Sequence, residues 1–337
     1  MRKKFDFKDF TIIPETSSTI NSRSEINVFT SEKMLPLMVS PMDTVVNGKN
    51  RHFFMNKKMM VCLPRKTDVG LFFPNFKSVS LTEFEEMVNS GSFSVNRILV
   101  DIANGHMEKL HELCKKYMKM NPRFELMVGN VANPETYRKF AEIGVGYVRV
   151  GIGGGSACLT SANLGVHYPV ASLIKECYDI KKENNFKTKI VADGGFRNYD
   201  DIIKALALGA DYIMLGGVLN KTLESCAKTK LFNKIPLSQN LSFFIWDKFP
   251  SLRKYFYKEF RGMSTKAVQK KWGRGKIKTS EGIHKTNKVE YTLDGWIENF
   301  EDYLKSAMSY TNSRNLESFK ESQIVFITDN ARQRFAK

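Results

Sequence analysis

The chain has 337 residues, 42% of them hydrophobic, with 52 Lys+Arg against 35 Asp+Glu and a formal net charge of +17. Such a chain can bury one large core or two ordinary ones, and without a low-complexity tract it reads as a soluble globular protein. No segment approaches the ~18 uninterrupted apolar residues of a membrane span, and the basic start MRKKFDFKDF has no apolar run behind it, so no membrane partner and a cytoplasmic location are expected.

In chain order, eight short apolar runs read as strands: LPLMVS (35–40), KMMVCL (58–63), FKSVSL (76–81), RILVDI (97–102), ELMVGN (125–130), YVRVGI (147–152), KIVADG (189–194) and YIMLGG (212–217). Helical segments separate the later ones: 106–120, then 133–144 with Asn133 as N-cap and Gly144 past its end, then 168–182. Runs buried on both faces and alternating with helices imply parallel β-α units, and eight of them imply a closed (β/α)8 TIM barrel. Seven strands in an open doubly wound sheet are the alternative. The expected organisation is a single barrel domain over 1–337, with a flap over about 265–290 and an extra basic and aromatic segment over about 222–260.

Charge is concentrated late in the chain: residues 218–288 hold 17 Lys/Arg and 4 Asp/Glu. A segment of this kind suits phosphate-bearing ligands or nucleic acid, or serves solubility through solvated lysines. The cysteines, at 62, 114, 158, 177 and 226, show no CxxC or Cys/His spacing. That argues against a disulfide framework and a zinc site, so each is read singly.

A barrel collects function where its strands end. Ser40-Pro41-Met42-Asp43 follows the first strand, Asp101 to Gly105 the fourth, Gly129-Asn130 the fifth, residues 151–158 the sixth, Asp193-Gly194-Gly195 the seventh and Gly216-Gly217 the eighth. Glycines without Cβ let backbone N–H groups approach a phosphate, and the last two strands are where barrels commonly hold one. Arg261 to Thr265 can open a short helix that adds donors. Asp193 beside such a cradle fits a nucleotide, because a carboxylate accepts hydrogen bonds from ribose hydroxyls. Cys158 lies on a glycine-rich loop, where its thiolate can add to an electrophilic ring carbon, with Thr160 two residues on. The alternative for Cys158 is core packing.

The ordered set SPMDTV (40–45), DIANG (101–105), GNV (129–131), VGIGGGSAC (150–158), ADGG (192–195), MLGG (214–217), GMS (262–264) and SEG (280–282), with SRSE (22–25) ahead of it, resembles the IMP dehydrogenase/GMP reductase family. The resemblance runs from about residue 5 to residue 330. It implies a purine nucleotide held by its 5′-phosphate, a cysteine that attacks C2 of the base, and hydride exchange with a nicotinamide cofactor. Carried over by position, Cys158 resembles the nucleophile and Thr160 its hydroxyl neighbour, while Glu281, in the flap, relays a proton. Nucleotide contacts are implied at Ser40, Ser156, Asp193, Gly194, Gly195, Gly216, Gly217, Gly262, Met263, Ser264, Lys278 and Gly282. Cofactor contacts are implied at Arg65, Lys66, Asp101, Asn104, Gly151 and Gly153. A monovalent cation, K+, is implied on carbonyls of Gly151, Gly153 and Cys158, and the resemblance also suggests a homotetramer.

Two departures bear on the cysteine loop: Gly154 stands where the family usually carries proline, and Ser161 where arginine is frequent, which predicts a more flexible loop. The flap carries Lys278 in place of a frequent arginine, and between Gly217 and Arg261 the chain is longer than a typical reductase, with the stretch 241–260 within it, a subunit contact or a partner-binding helix being the expectations for that stretch. Only about forty residues separate Cys62 from Asp101, so the regulatory CBS domain pair common in IMP dehydrogenases is missing there. From Gly262 to Glu281 there is no tyrosine, hence no Arg-Tyr pair to activate water. The expected reaction is therefore the reductase one, GMP and NADPH to IMP, ammonia and NADP+. An IMP dehydrogenase without the CBS pair, and a non-catalytic basic nucleotide- or RNA-binding protein on the same barrel, are the alternatives.

Overall fold

All eight apolar runs become strands. In the computed structural model, which describes residues 3–67, 75–93, 95–121, 125–155, 159–263, 265–271 and 282–335, they are β1 (Leu37–Val39), β2 (Met60–Leu63), β3 (Asn75–Val79), β4 (Arg97–Asp101), β5 (Glu125–Val131), β6 (Tyr147–Val150), β7 (Lys189–Asp193) and β8 (Tyr212–Leu215). Each pairs in parallel with the next, and β8 pairs back onto β1 through Met38 and Met214, so the sheet is a closed barrel and the open alternative falls.

Alternation along each strand divides the side chains between two cores. Met38, Met60, Cys62, Phe76, Leu99, Met127 and Met214 fill the barrel interior, while Val39, Val61, Ile98, Val128, Val148 and Ile213 face outward into the helical layer. Burial pushes the Cys62 thiol up to about 12, and Cys114 and Cys177 are buried in the outer core. These three cysteines are packing residues rather than nucleophiles.

Boundaries follow local capping chemistry. The third run was expected to extend to residue 81, but β3 stops at Val79 because Ser80 caps the helix Leu81–Ser90: its hydroxyl accepts from Glu83 N at 3.1 Å and the Glu83 carboxylate accepts from Ser80 N at 2.6 Å. Asn133 caps Pro134–Glu142 as expected, accepting from Glu135 N at 2.9 Å. The other two expected helices are Glu108–Met120 and Val170–Glu183.

The end of the barrel opposite the strand C-termini is closed by polar groups. Arg97 ion-pairs with Glu32 and Glu125, and the Tyr147 hydroxyl donates to Glu32 at 2.8 Å. Nearby, Asp211 accepts from Lys320 at 2.7 Å, Lys181 at 2.6 Å and Ile190 N at 2.7 Å. A cavity of about 260 Å³ lies beside it, lined in part by Asn27, Lys189 and Glu317. The short strands Phe10–Ile12 and Ile324–Phe326 pair antiparallel and join the two ends of the described chain.

The basic and aromatic segment builds a second, antiparallel sheet of β9 (Thr229–Leu231), β10 (Ile235–Leu237), β11 (Phe256–Arg261) and β12 (His284–Lys288), in the order β10-β9-β11-β12. Segment 241–260 thus has an internal role. It supplies most of the helix Gln239–Lys248 and all of β11 but Arg261, and its Trp246 and Phe256 pack with Leu223, Leu231 and Val289 in a separate small core. The sheet also joins this segment to the far end of the expected flap, since Arg261 pairs with His284. The helix Lys266–Lys271 follows Arg261–Thr265. Among the described residues, no helix is long and apolar enough to cross a membrane.

Candidate active site

Three strand ends converge on one buried guanidinium. Arg149, next to last in β6 and 5% exposed, donates from Nη1 to Asp101 Oδ1 and from Nη2 to Asp193 Oδ2, each at 2.7 Å. Burial, the strongest influence, favours the neutral guanidine, but Asp193 and Asp101 together outweigh it and hold the group charged. Asn130 Nδ2, in β5, donates to the same Asp193 oxygen at 2.8 Å and to Gly151 O at 2.7 Å. Arg65, after β2, lies on the other side of Asp101, its Nε 3.7 Å from Oδ2.

The glycine loop after β6 lies directly on the loop after β7. A Cβ on Gly151, at φ +128°, would meet the Asp193 carbonyl oxygen at 2.1 Å, and one on Gly154 would meet Gly194 C and O at 3.2 Å. Only an unbranched backbone allows so close an approach. Three carbonyls in this loop are engaged by side chains: Gly151 O by Asn130, Ile152 O by His167 Nδ1 at 2.9 Å, and Gly153 O by Ser161 Oγ at 3.0 Å. Ser161 ties Gly153 to the helix Thr160–Leu164 that it belongs to.

A second cluster forms where β8 meets β1. A Cβ on Gly216 would lie 2.7 Å from Met42 Sδ and 3.6 Å from Ser40 Cβ, and Ser40 N donates to Leu215 O at 3.0 Å. Gly217 opens the helix Gly217–Asn220. Arg261 forms a two-pronged ion pair with Asp43, at 2.6 and 3.2 Å, which brings Gly262 and Met263 to this edge of the rim. Gly262 N donates to Ile283 O at 3.0 Å, so Gly282 stands beside Gly262. Asn220, fully buried, donates to Thr44 O and Glu259 O and fastens the second sheet to the barrel.

Of the residues expected at the site, Arg65, Asp101, Gly151, Gly153, Asp193, Gly194 and Gly195 form the first cluster, and Ser40, Gly216, Gly217, Gly262, Met263 and Gly282 the second. The clusters are neighbours, because Asp193 pairs with Met214 across β7 and β8. Thr160 begins the helix that Ser161 fastens to Gly153. Lys66 is exposed, and the Asn104 side chain is turned into its own loop, its Oδ1 accepting from His106 N at 3.1 Å. Ser156, Cys158, Ser264, Lys278 and Glu281 lie outside the described residues. Sequence reasoning passed over Arg149 and Asn220, and gave Asn130, named at the end of its strand, no role. Arg149 carried a usable signal: a lone charge inside the apolar run YVRV, buried on both faces of a strand, requires carboxylate partners.

The basic stretch is less open to a polyanion than its composition suggests. Lys258 is buried, and Lys221, Lys230 and Arg261 pair with Glu290, Glu259 and Asp43. Among the described residues, no group of three or more His, Cys, Asp or Glu side chains is placed to hold a metal ion.

Comparison with known proteins identifies the family. The sequence model of the IMP dehydrogenase / GMP reductase domain matches residues 76–240. GMP reductase of Caenorhabditis elegans is 26% identical over 353 residues, covering 96% of this chain and 92% of that protein. GMP reductase 2 of Homo sapiens is 30% identical over 329 residues, covering 86% and 84%. Inosine-5′-monophosphate dehydrogenase of Chlorobaculum parvum is 32% identical over 246 residues, but the match covers 73% of this chain and 47% of that protein. On the barrel, its glycine-lined rim and these similarities together, the chain belongs to the IMP dehydrogenase / GMP reductase family.

Proposed function

We propose that the protein is a GMP reductase, converting GMP, NADPH and a proton to IMP, ammonia and NADP+. The observation that carries this reading is the pairing of Asp193 with two glycine loops at one rim, in a chain that spans 84–92% of the GMP reductases named above and 47% of the dehydrogenase. Asp193 accepts the ribose hydroxyls, and the glycine backbone at 194–195 and 216–217 receives the 5′-phosphate. Cys158 forms a covalent bond to purine C2, and Thr160 and Glu281 deliver the proton with which the 2-amino group leaves as ammonia. The cysteine then departs from C2 as hydrogen replaces it.

The first cluster suits a nicotinamide dinucleotide: Asp101 offers a half-buried carboxylate, and Arg65 and Lys66 offer cations for a phosphate-bearing cofactor. When bound, the nicotinamide supplies the hydride. The K+ reading meets competition, because the Gly151 and Gly153 carbonyls each already accept a side-chain hydrogen bond and retain one lone pair for an ion. A homotetramer in the cytoplasm completes the proposal.

The test is absorbance at the nicotinamide band, with GMP and NADPH in one arm and IMP and NAD+ in the other. NADPH consumption with ammonia release in the first arm, lost in Cys158→Ser while GMP still binds, is the expected result. XMP formation from IMP, or turnover by Cys158→Ser, refutes it.

A further inference from the structure

Arg149 joins two carboxylates that the proposed function assigns to different ligands, Asp193 to the nucleotide ribose and Asp101 to the cofactor. They lie on strands β7 and β4, which are not neighbours, and one planar guanidinium spans both. Each amino end of the fork serves one carboxylate, while Arg149 Nε is buried without an acceptor among the described residues. Asp193 Oδ2 is held by Arg149 and Asn130, and among the described residues Oδ1 accepts nothing, which leaves that oxygen for a ligand.

We propose that Arg149 is a positioning residue that couples the two subsites, so that nucleotide and cofactor each raise the other's affinity. The inference rests on the proposed function. A ligand that engages Asp193 fixes that carboxylate, and through the rigid fork it orders the guanidinium and Asp101. The second ligand then meets a carboxylate whose freedom is already lost, so its binding costs less conformational entropy. A lysine cannot substitute, because a single ammonium on a flexible stem does not hold two separate carboxylates in fixed geometry.

Calorimetric titration of the full chain tests this with GMP alone and with GMP in saturating NADP+, a pair that cannot turn over. In the parent, NADP+ is expected to tighten GMP binding fivefold or more, and GMP to tighten NADP+ binding by the same factor, as linkage requires. In Arg149→Lys both ligands still bind, and the ratio falls to within twofold of one. A parent ratio of one with both ligands bound, or an undiminished ratio in Arg149→Lys, overturns the coupling and leaves the proposed function standing. Failure of the parent to bind GMP at all removes the proposed function and the coupling with it. Should Arg149→Lys not fold, Arg149→Gln replaces the fork with a neutral amide too short to bridge both carboxylates; loss of the ratio with each ligand still binding alone supports the coupling, and a retained ratio overturns it.

Discussion

Gly151→Ala is the sharpest steric test of the rim. The new Cβ would lie 2.1 Å from Asp193 O, a backbone atom at the end of β7 that has no rotamer by which to escape. A normal contact requires the ends of β6 and β7 to part by roughly 1 Å, in interiors packed densely enough that overpacking costs ~1–3 kcal/mol. Alanine at φ +128° adds backbone strain of ~1–3 kcal/mol, for a total of ~2–6 kcal/mol. Gly165→Ala is the control, since Gly165 is also left-handed, at φ +66°, but its Cβ would meet nothing within 4 Å, leaving strain of only ~1–2 kcal/mol. Urea unfolding of both variants isolates the contact with Asp193, and GMP titration reports whether the shift reaches the ribose site. The expectation is that Gly151→Ala is the less stable and binds GMP at least tenfold more weakly, with Gly165→Ala close to the parent in affinity. Equal stability of the two variants, with GMP affinity unchanged in both, would refute the close-approach argument.

Gly217→Asp places a carboxylate where backbone donors should meet the nucleotide phosphate, so GMP affinity measured by titration should fall by more than tenfold, at least ~1.4 kcal/mol; unchanged binding in folded protein moves the phosphate elsewhere. Glu281→Gln should leave GMP binding intact and slow ammonia release by roughly 10²–10⁴-fold, the range of general acid–base catalysis, and a variant as fast as the parent removes Glu281 from the chemistry. Lys258 should make stability depend on pH: burial lowers its pKa from 10.5 to about 7, so between those values the unfolded chain binds a proton that the folded chain has released. Stability then rises with pH across that window, by up to ~1.4 kcal/mol per pH unit, and the penalty is fully present below pH 7. Urea unfolding at pH 7 and pH 9 should show that slope in the parent and not in Lys258→Met; equal slopes would assign the dependence to other groups.

The barrel was legible because strands buried on both faces need apolar residues at nearly every position, a pattern that runs such as RILVDI and KIVADG carry without reference to partners. Helix starts were partly legible for the same local reason: Asn133 announced its cap through the short reach of its own carboxamide oxygen, whereas the capping box of Ser80 and Glu83 was hidden behind the apolar run FKSVSL. Family motifs pointed to the described rim residues, since glycine and aspartate at strand ends are local in sequence. The second sheet was illegible. Its β9 and β10 have three residues each, too short for a period, and its central strand FYKEFR sends Lys258 inward, which contradicts any local rule. That inward lysine is tolerable only because Leu223 O, Ser225 O and Ser225 Oγ, more than thirty residues away, accept from its ammonium at 2.6–3.0 Å. Arg149 follows the same logic. Its sequence neighbours are valines, and its partners stand 48 and 44 residues away on other strands, so closure of the barrel, which no local pattern encodes, decides that a lone charge inside an apolar run becomes the link between Asp101 and Asp193.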